Sequence, residues 1–147
     1  MAETATTNES AQIHILLAEH GYEVTDTAPN VLSIKQLDSG ISIQAVIEGE
    51  IVYFSLMCQT VPESQLTPQI LRRMLASDNG ISTSYFQLYD FGEGQTTIAL
   101  CNFCKLALLG AEDADDILSC VHFLFADVLT ARDLLLGLGK AEKTGGF

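Results

Sequence analysis

Apolar positions along the chain change their period several times, and each change marks a new element. From Thr6-x-x-Glu9, a capping-box pattern, Ile13, Leu16 and Leu17 recur at helical spacing up to about His20, where Gly21 stops the run. From Tyr22 the period drops to two. A short strand is possible at Tyr22–Thr25, and after the Pro29 turn the segments Val31–Leu37, Ile41–Ile47 and Ile51–Cys58 read as a three-stranded antiparallel meander, broken at Asp38-Ser39-Gly40 and Glu48-Gly49-Glu50. Its clearest alternation sets Ile41, Ile43, Ala45 and Ile47 against Ser42, Gln44 and Val46. Strands of this kind bury one face and wet the other, so the sheet needs a cover.

Helices supply it. Thr67-Pro68 offers a cap hydroxyl and a first-turn proline, followed by the stripe Ile70, Leu71, Met74 and Leu75 and a stop at Ser77–Gly80. A second hairpin is predicted from Ile81–Tyr89 and Gln95–Phe103 around the loop Asp90-Phe91-Gly92-Glu93-Gly94. The acidic run Glu112–Asp116 then opens a long helix over Asp113–Leu136. The fold class expected is α+β, an antiparallel sheet in the order α-β-β-β-α-β-β-α with both hairpins in one sheet. A single domain is expected over residues 9–138, with residues 1–8 and 139–147 as flexible termini.

Composition narrows the function. The 147 residues are 48% hydrophobic and 18% charged, enough apolar material for a core, and the net charge is −12. Such acidity argues against nucleic-acid binding, which draws affinity from cations that displace counterions, and Arg72-Arg73 is no basic stripe. The longest apolar stretches, such as Leu106–Leu109 and Leu134–Leu136, are too short for membrane insertion. With no secretory signal pattern, the four cysteines (58, 101, 104 and 120) read as thiols of a reducing, cytoplasmic compartment. Cys101-x-x-Cys104 has metal or redox spacing but no second pair follows it, and Cys120 and His122 do not share a helix face.

No enzymatic constellation assembles. Gly92-x-Gly94 lacks the third glycine and the strand-to-helix context of a phosphate loop, the acidic run at Glu112–Asp116 lacks the calcium-loop glycine and glutamate, and Asp90 with Glu93 sits on a turn. The reading is therefore no catalytic residues, no metal and no cofactor. What stands out is surplus apolar surface. The last helix carries so wide an apolar arc that Val121, Leu124, Phe125 and Val128 are expected to serve a homodimer interface, and Tyr85, Tyr89 and Phe91 on the second hairpin are expected to bind a protein or peptide segment.

The order of elements resembles the type III secretion chaperone-like fold, including the YbjN-like family of sensory-transduction regulators. The resemblance rests on the first helix ending at Gly21-Tyr22, the three meander strands, the Val61-Pro62 exit into Ile70–Ala76, and the Tyr85–Tyr89 and Thr96–Phe103 hairpin ahead of the last helix. Gly80-Ile81-Ser82 sits where YbjN-like proteins place a small-residue turn, and the alternating polar Ser82, Ser84 and Gln87 follow that family's strand pattern. The resemblance implies a small, dimeric, non-enzymatic protein. In the secretion chaperones it implies binding of an extended segment on hydrophobic patches without nucleotide. The cysteine-rich final hairpin and the Leu134–Leu136 cluster depart from the secretion-chaperone pattern.

Overall fold

A computed structural model describes residues 8–107 and 111–136. It consists of α1 (Asn8–Glu19), β1 (Tyr22–Ala28), β2 (Val31–Gln36), β3 (Ser42–Glu48), β4 (Ile51–Pro62), a 3-10 turn (Glu63–Gln65), α2 (Pro68–Leu75), β5 (Tyr85–Gly92), β6 (Gln95–Lys105) and α3 (Ala111–Leu134). The strands form one six-stranded sheet in the order β1-β2-β3-β4-β6-β5. The expected α+β architecture and its single sheet are thus present, with one strand more than the predicted order. Tyr22–Ala28 is a full strand whose only large apolar residues are Tyr22 and Val24, so its alternation ends short of the strand itself. It is an exposed edge, and its turn into β2 places Asn30 at φ 63°, a left-handed position that asparagine tolerates after a proline.

The chain divides into two compact units, residues 1–55 with 102–122, and residues 56–101 with 123–147. In the first, β1, β2, β3 and the start of β4 pair antiparallel in succession, with Ile34 opposite Ile43 and Ala45 opposite Phe54. Ile43, Ala45 and Ile47 are buried while Ser42, Gln44 and Glu48 are exposed, so the alternation in the sequence is realised residue by residue. Ile13 and Leu17 of α1 are fully buried, as are Ile117 and Val121 of α3. Each such side chain contributes roughly 1.5–3 kcal/mol of burial. The start of α3 is fixed by Asp113, whose buried Oδ2 accepts a hydrogen bond from the Ala107 N–H at 2.8 Å. His14 Nδ1 lies 3.0 Å from Asp26 Oδ1 on the surface, and His20 Nδ1 lies 2.9 Å from the Leu16 carbonyl in the last turn of α1.

In the second unit Val61, Met74, Ile98 and Leu135 form a buried cluster, with Leu66, Ile70, Leu71 and Phe86 packed against it. Thr67 caps α2 as expected, its Oγ1 accepting from the Ile70 N–H at 3.3 Å. Leu75, predicted in the apolar stripe, instead faces solvent in the last turn of α2. The predicted strand from Ile81 starts only at Tyr85. Residues before it are held in a turn by Asp127 of α3, whose buried carboxylate accepts from Ser82 N–H at 3.0 Å and from Ser82 Oγ at 2.9 Å. Gly80 precedes this turn at φ 88°, and a Cβ there would meet Thr130 Cγ2 at 3.0 Å. The expectations for residues 1–7, 108–110 and 137–147, including the Thr6 end of the capping box and most of the two flexible termini, lie outside the described residues.

Candidate functional site

The β5–β6 hairpin is built around the predicted loop. Gly92, Glu93 and Gly94 all take positive φ, 95°, 56° and 78°, a path that two glycines make accessible, and Gly92 N–H donates to Asp90 Oδ1 at 2.9 Å. The Glu63 N–H donates to the Gly94 carbonyl at 2.7 Å and ties the loop to the end of β4. Tyr85 then lies opposite Cys101, Gln87 opposite Ala99 and Tyr89 opposite Thr97, all on one face because strand residues two apart share a side. Tyr89 hydroxyl donates to Gln87 Oε1 at 2.6 Å, and Cys101 Sγ donates to the same oxygen at 3.3 Å. Burial pushes both the Tyr89 phenol and the Cys101 thiol above their ordinary values, so both keep their protons at neutral pH and the face carries no charge of its own.

Tyr85, Tyr89 and Phe91 are all solvent-exposed, Phe91 to 68%. The structure brings the two tyrosines together on one strand face and sets Phe91 at the register shift near the tip, between Asp90 and Gly92. On the other side of β5, Leu88 is also exposed. With Glu63, Leu66, Leu71, Asp90, Thr96 and the neighbouring Tyr89 it lines an open recess of about 410 Å³. β5 is the last strand of the sheet, and no further strand pairs with its outer side among the described residues. Its position was missed in the sequence, although a signal existed. The unbroken apolar run Ile98–Cys101 of β6 marks an interior strand buried on both faces, which leaves β5 outside it.

The four residues expected at a dimer interface are placed differently. Val121 and Leu124 are fully buried, Val128 nearly so, and Phe125 is 6% exposed. Val121, Leu124 and Val128 lie on the core stripe Ile117, Val121, Leu124, Val128, Ala131 and Leu135, at spacings of three and four, with Phe125 buried beside it, and a side chain already enclosed by its own chain has no surface to offer another. Among the described residues, the exposed large apolar side chains of α3 are instead Phe123 and Leu129, with Leu136 exposed just past its end.

All four cysteines are free. Cys101 and Cys104, three apart on a strand, serve different neighbours: Cys101 meets Gln87 and Tyr89, whereas Cys104 meets Cys120 of α3. Burial raises the Cys58 thiol to about 12. Among the described residues no group of three or more His, Cys, Asp or Glu side chains is placed to hold a metal ion, and no helix is long and apolar enough to cross a membrane.

No known family profile matches the sequence, and no curated protein does. The structure does have a counterpart, the crystal structure of YbjN from E. coli, a candidate transcription regulator. It superposes with a TM-score of 0.62 over 88% of this chain and 94% of that one, at 12% sequence identity. The fold is YbjN-like. At that identity the likeness carries the architecture, and the YbjN-like arrangement expected from the order of elements is confirmed at that level.

Proposed function

We propose that this chain is a non-enzymatic, chaperone-like adaptor that holds an extended protein segment along β5, the edge strand of its YbjN-like fold. The observation that carries the reading is the exposure of Tyr85, Tyr89 and Phe91 on that strand. An edge strand offers unpaired backbone donors and acceptors to an incoming strand, and aromatic side chains add contact area at low entropic cost. Asp90 and Glu93 at the tip and the net charge of −12 favour a segment that alternates apolar with basic residues. A regulatory role fits the description of YbjN better than catalysis does. The acidity directs the adaptor to protein rather than nucleic acid, and its free thiols suit a reducing, cytoplasmic compartment.

Fluorescence anisotropy with labelled, unstructured peptides of alternating apolar and basic residues, without nucleotide, tests the reading. The chain should bind a subset of them, and the double variant Tyr85→Ser, Phe91→Ser should weaken binding about tenfold or more while leaving the far-ultraviolet dichroism unchanged. A folded double variant with undiminished affinity would remove β5 as the site.

A regulatory homodimer is the second reading. It is favoured by Leu129, an apolar side chain of α3 that stands 60% exposed beyond the helix's own core stripe. Sedimentation equilibrium should then give twice the chain mass, reduced to that of one chain by Leu129→Glu. A wild-type protein sedimenting as a monomer at micromolar concentration excludes it.

A further inference from the structure

Cys104, near the end of β6, and Cys120, in the middle of α3, belong to the same compact unit and are only partly buried. Asn102 and Cys104, two apart on β6, share the strand face that Asn102 turns toward Cys120, and the two thiols are close enough to shift each other's proton affinity. Two contacts fix Cys120 over this strand end: its Sγ donates to the Phe103 carbonyl at 3.6 Å, and its own carbonyl accepts from Asn102 Nδ2 at 2.9 Å. Asn102 is buried, so the backbone anchor is rigid. The other two cysteines lack this arrangement, since Cys58 contacts the Leu56 carbonyl and Cys101 contacts Gln87.

We propose that Cys104 and Cys120 are a thiol pair that closes reversibly to a disulfide by exchange with a low-molecular-weight disulfide, joining the end of β6 to α3. The interaction with Cys104 pulls the Cys120 thiol below its ordinary value, against the opposing push of burial and of Asp116, so Cys120 is the thiol of the two that more readily gives up its proton, leaving the Phe103 carbonyl, and attacks. The same interaction, with burial and the negative charges of Cys120, Asp116 and Asp113, holds Cys104 protonated. In the first step Cys120 S⁻ attacks one sulfur of the small disulfide, forming a mixed disulfide and releasing one thiolate, which takes up a proton. Cys120 then carries no charge and no longer holds the Cys104 proton, so the main cause of the raised Cys104 value is gone. Cys104 loses its proton to water, its sulfur attacks Cys120 Sγ, and the second small thiol leaves. The pair is oxidised by two electrons and the small disulfide is reduced to two thiols.

The test uses the full chain with oxidised glutathione at 0.15 M salt, where the repulsion between the acidic protein and the anionic probe is screened. Peptide mapping should find Cys104 joined to Cys120, with Cys58 and Cys101 still free thiols. Tm should rise by roughly 5 °C, because the bond closes a short loop in the unfolded chain, and dithiothreitol should reverse both changes. Cys104→Ala should stop the reaction at glutathione on Cys120. In the same variant iodoacetamide labelling of Cys120 at pH 7 should slow about threefold, since the neighbour that favours its thiolate is lost. A merely packed pair would not show that slowing. Absence of the Cys104–Cys120 bond in wild type, or oxidation directed to Cys58 or Cys101, overturns the proposal.

Discussion

Leu124 and Val128 of α3 and Tyr85 and Phe91 of β5 are all large apolar side chains, yet the first two are buried and the last two stand in water. Hydrophobic period identifies an element and its apolar side. It does not say what that side meets. On α3 the stripe from Ile117 to Leu135 repeats every three or four residues for five turns and is consumed by the chain itself. On β5 apolar residues stand on both faces, but the strand sits at the end of the sheet order and its outward aromatics remain available.

The contrast is broken most severely by Leu124→Asp. A carboxylate placed at a fully buried, unpaired position should cost about 4 kcal/mol or more and unfold the chain, visible as loss of the cooperative thermal transition. A folded protein with near wild-type Tm would show that α3 is not a core helix. Asp127→Ala comes next. It leaves the Ser82 N–H and hydroxyl without their buried acceptor and should cost about 2–3 kcal/mol in urea denaturation, together with faster hydrogen exchange at Ser82. Losses below about 0.5 kcal/mol would mean that the turn before β5 holds its shape unaided.

A smaller effect is expected from pH. The Cys58 thiol, raised from 9.0 to about 12 by burial, binds its proton more tightly in the folded than in the unfolded chain. Its contribution to stability is therefore complete below about pH 9 and is lost as pH rises toward 12, amounting to about 1 kcal/mol by pH 10. Cys58→Ala should flatten that part of the alkaline decline, measured as the change in urea midpoint between pH 8 and pH 10, and an unchanged slope would contradict a buried, neutral thiol. The smallest effect belongs to Tyr85→Ser and Phe91→Ser, each expected to shift stability by no more than about 0.5 kcal/mol because neither side chain is enclosed. A larger loss would move these residues from surface to core and weaken the adaptor reading.

Much of the fold was legible because its signals are local. The cap at Thr67, the turn at Gly92–Gly94 and the alternation of β3 each depend on residues a few positions apart, and each is found where the pattern predicts it. The full length of β1 was not legible, since an exposed edge strand needs few apolar residues. Asp127 was equally hidden. An aspartate inside a long helix looks like surface charge until the distant Ser82 is brought to it. Cys120 shows the same limit: its partner is not the nearby His122 but Cys104 on another element.

The sequence by itself determined the elements, their order and the amphipathic face of most of them, because backbone preference and side-chain period act over a few residues. Only the tertiary structure decided that β6 lies inside the sheet and β5 at its edge, that the α3 stripe is core, and that Cys104 meets Cys120. Those outcomes depend on which surfaces meet across long separations in the chain, and the free energy of burial rewards any apolar contact without naming the partner.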